Sequence, residues 1–443
     1  MSHADTQARQ APTEARVQKA KKATGAAVFG TFVEYYDFSV YGYVAATLAV
    51  VFFPSEDPAI GLLNTLLVFG SAFLVRPLGA VAFGWLGDRI GRRTSLIACI
   101  TLMGLSATLI GLLPGYAQIG VWAPILLVVL RMLQGFSAGG EIGGAAAYIR
   151  EWAAPEKRSL YISFIPSIAV FGKGLAAGIA ALTAAYFSGP EMESWGWRIP
   201  FLLALPLGII GLMMRLSIED SPEFAKTQQD DKTAQRPFGE LMRDYRGPLS
   251  KVVLIALVQN IGTYIGTVFI AVYMSNVLGF TKAQASTIVL FAILLAAVLI
   301  PFAGQLGSRI GGKRLLLTSY IAYVILTLPS FLLMQQGSVG IAIVGLMIGM
   351  IPYALCQAGT YGTMPEFFPV RIRHTGVAFG HSMGAVLGGG AGPYLATWLI
   401  ARTDNIMVPA YMMIIAGVIG ILILLTVQRN AVIPGDTDNH QFR

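Results

Sequence analysis

Six charged side chains fall inside long apolar stretches of this sequence: Glu34, Asp37, Arg76, Arg131, Glu141 and Lys173. A charge surrounded by hydrocarbon is costly and is kept where it binds or carries something. Glu34 and Asp37 lie three apart, on one face of a helix, with Tyr41 a turn further on. At ~1.5 Å per residue counted from position 24, Glu34 sits about 15 Å into its segment, near the middle of a bilayer. A carboxylate there is either a proton carrier or one arm of a static pair with Arg76 or Arg131. Arg131 and Gln134 share a second helical face. The Arg131 guanidinium is a fork suited to a carboxylate, whether a bound solute's or that of Glu34 or Asp37. Lys173, between Gly172 and Gly174, either meets a carboxylate or extends its ammonium to the surface. The later part of the chain offers neutral groups: Gln259, Asn260, Tyr264, Tyr273, Tyr353 and Gln357. Buried amides need partners, and aromatic faces cradle cations. His381 is the one titratable group there at comparable depth.

The elements that must hold these residues follow from composition. The chain of 443 residues is 55% hydrophobic and 12% charged, about half the charge of a soluble protein. About 20 apolar residues cross a bilayer as a helix. Twelve such segments are read at 25–52, 61–83, 94–113, 120–147, 159–187, 199–216, 251–275, 285–303, 315–334, 338–363, 374–401 and 408–428. The fold class expected is an all-α polytopic membrane protein, twelve transmembrane helices in two pseudo-symmetric six-helix bundles. The divisions expected are a tail (1–24), a first bundle (25–216), a linker (217–250), a second bundle (251–428) and a second tail (429–443). The polar linker reads as a connector, and the first tail as a lipid-touching arm without a removable signal peptide.

Two internal repeats support the bundles. Gly84-Trp-Leu-Gly-Asp-Arg-Ile-Gly-Arg-Arg93 returns as Gly304-Gln-Leu-Gly-Ser-Arg-Ile-Gly-Gly-Lys313, with six of the ten positions identical. Glu151 and Arg158, seven apart around Pro155, return as Glu366 and Arg373 around Pro369. A chain built of two related halves is the pattern of a secondary transporter with its site where the halves meet.

The net charge of +8 records orientation rather than nucleic-acid binding. All but six of the 31 Lys and Arg fall in the tails, the linker and the loops on their side of the membrane. The exceptions are Arg198, Lys282 and Arg402 opposite, and Arg76, Arg131 and Lys173 within. Cytoplasmic loops collect such residues, so both termini are expected in the cytoplasm. Cys99 and Cys356 lie in apolar helices of different halves and imply no disulfide framework. No metal-ligand cluster, phosphate-binding loop or nucleophile–base pair is present, so neither metal nor enzymatic chemistry is expected.

The Gly84–Arg93 turn and Arg131-Met-Leu-Gln-Gly135 resemble the hallmark motifs of the major facilitator superfamily. Val33-Glu-Tyr-Tyr-Asp-Phe38, Phe73-Leu-Val-Arg-Pro-Leu-Gly79, Gln134-Gly-Phe-Ser-Ala-Gly-Gly-Glu141 and Trp195-Gly-Trp-Arg-Ile-Pro-Phe201 resemble its metabolite–proton symporter family. Leu203–Gly211 and Asn405–Tyr411 look like the proline/glycine-betaine branch. The resemblance covers 25–428. It implies a monomeric, proton-coupled importer of a small polar metabolite in a bacterial inner membrane, with the proton as coupling ion and no other cofactor. Glu34 and Asp37 would carry protons. Tyr41, Arg76, Arg131, Gln134, Lys173, Gln259, Asn260, Tyr264, Tyr353 and Gln357 would meet substrate. Asp88, Arg89, Arg92, Arg93, Glu151, Arg158, Glu366 and Arg373 would form a cytoplasmic gate. Ser308 lacks the acid of Asp88, so that latch is expected to be asymmetric. Relatives in the family carry citrate, 2-oxoglutarate, other dicarboxylates or shikimate. Lys173 departs from what a zwitterion carrier needs, and the second tail lacks coiled-coil heptads. A drug–proton antiporter fits less well: Pro166–Gly172 does not match the glycine–proline motif of such exporters.

Overall fold

The structure is a computed structural model that describes residues 14–56, 58–230 and 234–427, and every regular element among them is helical. Expectations for residues 1–13, for Asp231 and Lys232 and for the tail from 428 onward lie outside the described residues. Twelve long helices follow one another. The first six are α1 (Glu14–Tyr43), α2 (Pro58–Arg89), α3 (Arg92–Leu112), α4 (Trp122–Trp152), α5 (Arg158–Tyr186) and α6 (Ala204–Leu216). The second six are α7 (Arg246–Thr263), α8 (Lys282–Ile310), α9 (Gly312–Met334), α10 (Val339–Thr363), α11 (Val370–Gly384) and α12 (Val408–Thr426). A π turn carries α7 on through Tyr264–Phe269 into Ile270–Asn276, and another carries α11 through Ala385–Gly390 into Gly392–Thr403.

With α6 counted together with the helical turns that lead into it from Gly189, ten of the twelve are long and apolar enough to cross a membrane. The other two are α1, with its lysines, Glu34 and Asp37, and α11, whose first half buries Arg373, His374, Thr375 and His381. Several helices outrun their expected limits: α2 reaches Arg89, not 83, α4 reaches Trp152, not 147, and α8 reaches Ile310, not 303. Hydropathy measures the thickness of the hydrocarbon, whereas a helix continues into the polar layer until its chain turns. The turns that stop α2 and α8 place Gly91 at φ 149° and Gly311 at φ 91°, a backbone region that side chains disfavour.

The packing repeats between halves. In the first, α2 packs on α4, α3 on α4 and α6, and α1 on α5. In the second, α8 packs on α10, α9 on α10 and α12, and α7 on α11. The halves meet where α2 and α4 lie on α11, and where α8 and α10 lie on α5. Glycines set the closest approaches. A Cβ on Gly135 would stand 2.0 Å from the Ala72 carbonyl oxygen, and one on Gly139 2.1 Å from that of Arg76. Small residues let membrane helices touch backbone to backbone. Gly388 and Gly389 belong to the α11 π turn, where a Cβ on Gly389 would come within 2.5 Å of the Tyr264 ring.

The linker is more than a connector. It forms two short helices, Pro222–Gln229 and Pro237–Asp244, each opened by a proline, the first capped by the Ser221 hydroxyl on the Phe224 N–H. They lie at the same end as the start of α1 and the end of α12: Lys19 pairs with Glu219, and Lys251 donates to the Thr426 carbonyl. This end holds most of the basic residues and is called the basic end below.

Candidate functional site

A cavity of about 30 Å³ lies between the halves. That volume is room for roughly two waters, so the halves are nearly closed around it. The first half contributes Tyr35 from α1, Arg76 from α2 and Lys173 from α5. The second contributes Gln259, Asn260 and Tyr264 from α7, Tyr353, Gln357 and Tyr361 from α10, and His381 from α11. Of the expected substrate residues, Arg76, Lys173, Gln259, Asn260, Tyr264, Tyr353 and Gln357 therefore meet there. A Cβ on Gly172 would stand 2.5 Å from the Phe32 carbonyl oxygen, so α5 presses on α1 and sets Lys173 Nζ 5.1 Å from the Tyr35 ring centre. The lysine thus turns to the cavity wall, not outward along its helix. The amides form a chain: Asn260 donates to Gln259 at 2.9 Å, Gln259 to Gln357 at 2.5 Å, and Gln357 to the Tyr353 hydroxyl at 2.7 Å. Tyr35 and Tyr361 also line the cavity, and nothing in the sequence separates them from packing residues. Tyr273 stands apart from the cavity, its ring against Phe331.

Behind the cavity wall lie the acids of α1. Arg76 Nη2 donates to Glu34 Oε1 at 3.3 Å, with its guanidinium over the rings of Phe38 and Phe73. Arg131, Gln134 and Tyr41 do not line the cavity. The Arg131 guanidinium is enclosed by Phe38, Tyr41 and Phe69, at 4.6, 4.4 and 5.1 Å from their ring centres, and donates to Gln134 Oε1 at 2.9 Å. Both carboxylate oxygens of Asp37, Glu34 Oε2, and Nε and Nη2 of Arg131 are buried without a hydrogen-bond partner. A buried polar atom left unbonded is expensive, and this cluster holds several.

Glu141 belongs elsewhere. It forms a fully buried, two-pronged pair with Arg215 of α6, whose Nη1 meets Glu141 Oε2 at 3.0 Å and also binds the Leu96 carbonyl. Arg215 corrects the sequence count of three membrane cations. It sits in the last turn of its helix, where a basic residue reads as a flanking charge, and the lone deep acid Glu141 is the one signal that calls for it.

At the basic end an ion network ties the halves together. Asp88 accepts from the backbone N–H groups of His374 at 3.1 Å and Thr375 at 2.8 Å, at the start of α11, and from Arg92 at 2.5 Å. Arg92 also reaches Glu151 at 3.3 Å and the Val370 carbonyl at 2.5 Å. Glu151 pairs with Arg373, and Arg150 with Glu366 at 3.1 Å. The linker joins in: Glu223 bridges Arg158 and Arg373, at 2.9 and 2.8 Å, and Ser221 binds Glu151. Two expected gate residues do not cross between halves. Arg89 lies over the Trp85 ring, and Arg93 donates to the Arg215 and Leu216 carbonyls of its own half. Arg150, which the spacing argument passed over, takes the place facing Glu366. Asp88→Asn removes the charge that holds the start of α11. It is expected to lower the population closed at this end by ~10-fold or more, since such bonds contribute ~1.5–3 kcal/mol. Initial uptake should slow while equilibrium substrate binding changes less than about threefold. A large loss of binding with normal exchange would contradict this.

The Major Facilitator Superfamily profile matches residues 27–393, and again 252–441. The chain belongs to that superfamily. It is 34% identical over 423 residues to the proline/betaine transporter of Escherichia coli (strain K12), covering 93% of this chain and 84% of that one. It is equally identical over 420 residues to an inner membrane metabolite transport protein of the same organism, covering 93% and 94%. Among solved structures, the proton:xylose symporter XylE bound to 6-bromo-6-deoxy-D-glucose superposes with a TM-score of 0.76 at 16% identity, covering 93% and 95%. At that identity the likeness speaks for the fold alone. This member of the superfamily is a multi-pass membrane transporter of small molecules, with its cavity at the junction of the two halves.

Proposed function

We propose that the chain imports a small zwitterion of the proline/betaine kind together with protons, across a bacterial inner membrane, with the basic end in the cytoplasm. The observation that carries this reading is the composition of the cavity wall, cations from one half and aromatic and amide groups from the other. A zwitterion needs both. Arg76 suits its carboxylate, and the rings of Tyr35, Tyr264, Tyr353 and Tyr361 suit its substituted ammonium. The names of the proline/betaine relatives and the excess of Lys and Arg at the basic end support the substrate and the orientation.

Coupling follows from the Glu34–Arg76 contact. A proton taken by Glu34 removes the charge that holds Arg76, which then turns to the substrate carboxylate. Asp37 and Arg131, one turn deeper in the cluster, offer a second carboxylate–guanidinium pair for the same exchange. Loading discharges α1, and release on the cytoplasmic side re-forms the ion pair. The test is uptake by proteoliposomes under an imposed pH gradient, using radiolabelled proline, betaine, citrate, 2-oxoglutarate and shikimate. Proline or betaine accumulation that collapses with a protonophore supports the reading; accumulation that ignores the pH gradient defeats it.

Lys173 favours a second reading, a di- or tricarboxylate anion, because it places a second cation on the wall. Lys173→Met separates the two. For a zwitterion, one carboxylate is met by Arg76, and uptake should stay within about threefold of normal. For an anion, the lost partner leaves a carboxylate unpaired, and KM should rise ~10-fold or more. The readout is initial-rate KM for the accepted substrate.

A further inference from the structure

The two copies of the repeated turn are built alike but filled differently. In the first copy Asp88 accepts the Thr375 N–H at the start of α11. In the second, Ser308 accepts the Leu160 N–H at the start of α5, at 3.1 Å. A Cβ on Gly87 would strike His374, and one on Gly307 would strike Ser159, the residue in the matching place. Glu366 and Arg158 stand where Glu151 and Arg373 stand in the first copy. Two side chains have no counterpart: the carboxylate of Asp88 becomes the hydroxyl of Ser308, and the guanidinium of Arg92 becomes nothing, because Gly312 takes its position.

The missing side chains leave a cavity of about 190 Å³ at the basic end, lined by Arg158, Ser159, Ser308, Arg309, Arg314 and Glu366. Its charge is positive. Glu366 is already bound by Arg150, and Arg158 by Glu223. Arg309 and Arg314 make no ion pair within 4 Å among the described residues. One hydroxyl of the lining also lacks a partner: Ser159 Oγ is buried and unbonded. So is Oγ1 of Thr363, a residue 1% exposed that lies behind the lining, against Gly312. Guanidinium groups and hydroxyl donors around a void of this size suit a tetrahedral oxyanion.

We propose that this cavity binds a phosphate-class oxyanion, which supplies the negative charge that Ser308 lacks. Contacts from the anion to Arg158 and Ser159 of α5 and to Arg309 and Arg314 around the α8–α9 turn span the two halves. Occupancy holds the basic end closed on the side of α5 as Asp88 does on the side of α11. This inference stands whatever solute the carrier moves.

The test is thermal melting of the purified full chain, in detergent, with inorganic phosphate as probe and potassium chloride at matched ionic strength as control. A saturable rise of about 2 °C at ~10 times Kd is expected with phosphate and not with chloride. Ser308→Asp places a carboxylate in the cavity and should raise the melting temperature unaided while cancelling the phosphate response. The double substitution Arg309→Gln, Arg314→Gln should shift the phosphate midpoint ~10-fold upward or more. Repeating the titration in nanodiscs of phosphatidylglycerol and of phosphatidylcholine assigns the source. A response lost only in phosphatidylglycerol makes the occupant a lipid headgroup, and a response kept in both makes it free phosphate. No phosphate-specific shift in the wild-type chain, or one that persists unchanged in both variants, overturns the proposal.

Discussion

Glu34→Gln should abolish accumulation against a gradient while leaving downhill exchange of substrate. The amide keeps the shape of the side chain and a contact with Arg76, so the cavity stays assembled, but it can neither take up nor give off a proton. One pH unit across the membrane is worth about 1.4 kcal/mol per proton, enough for ~10-fold accumulation of a solute moving with one. The variant's accumulation ratio should fall to about 1, with counterflow of preloaded substrate still measurable. Asp37→Asn provides the comparison, because its carboxylate lies in the same cluster without a hydrogen-bond partner. If both variants still concentrate substrate in response to pH, protons are carried elsewhere and the coupling scheme fails.

The largest effect on stability is expected at the Glu141–Arg215 pair. Both side chains are fully buried, and Arg215 also holds the Leu96 carbonyl, so α3, α4 and α6 are joined at one point. Removing one partner leaves the other as an uncompensated buried charge, which costs ~3–5 kcal/mol. Glu141→Ala and Arg215→Ala should each reduce the folded yield sharply and lower the melting temperature in detergent. The double substitution Glu141→Met, Arg215→Met exchanges the pair for apolar groups of similar length and should recover most of that loss. A double variant no more stable than either single one would show that the pair does more than neutralise itself.

Much of the architecture was legible from periodic apolar length, and the repeated Gly84–Arg93 turn announced the symmetry that the helix packing displays. The cavity was partly legible as well: a deep Arg76 or Lys173 is conspicuous because charge in hydrocarbon is rare. Tyr35 and Tyr361 were hidden, because a tyrosine on an apolar helix looks the same whether it faces a cavity or a neighbour. The fork of Arg131 suits a substrate carboxylate, but Phe38, Tyr41 and Phe69 enclose it, and spacing along α4 does not reveal an aromatic box assembled from α1 and α2. Arg150 and Arg215 were missed because a cation at a helix end looks like a solvated flank. The linker helices were missed because eight-residue segments rich in charge carry little periodic signal, although Ser221-Pro222 and Arg236-Pro237 mark their starts.

The glycine line on α4 has a mechanical consequence. At one end Gly135 and Gly139 press on α2 of the same half; towards the basic end Gly143 and Gly144 press on Ala378 and His374 of the opposite half. One smooth face is thus a fixed joint above and a parting surface below. Surfaces without projecting side chains have nothing to unhook when they separate, so they act as a bearing, giving up contact in proportion to area without forcing rotamers to change. The friction against opening then resides in the ions set around that bearing, which lie buried where salt screens them little.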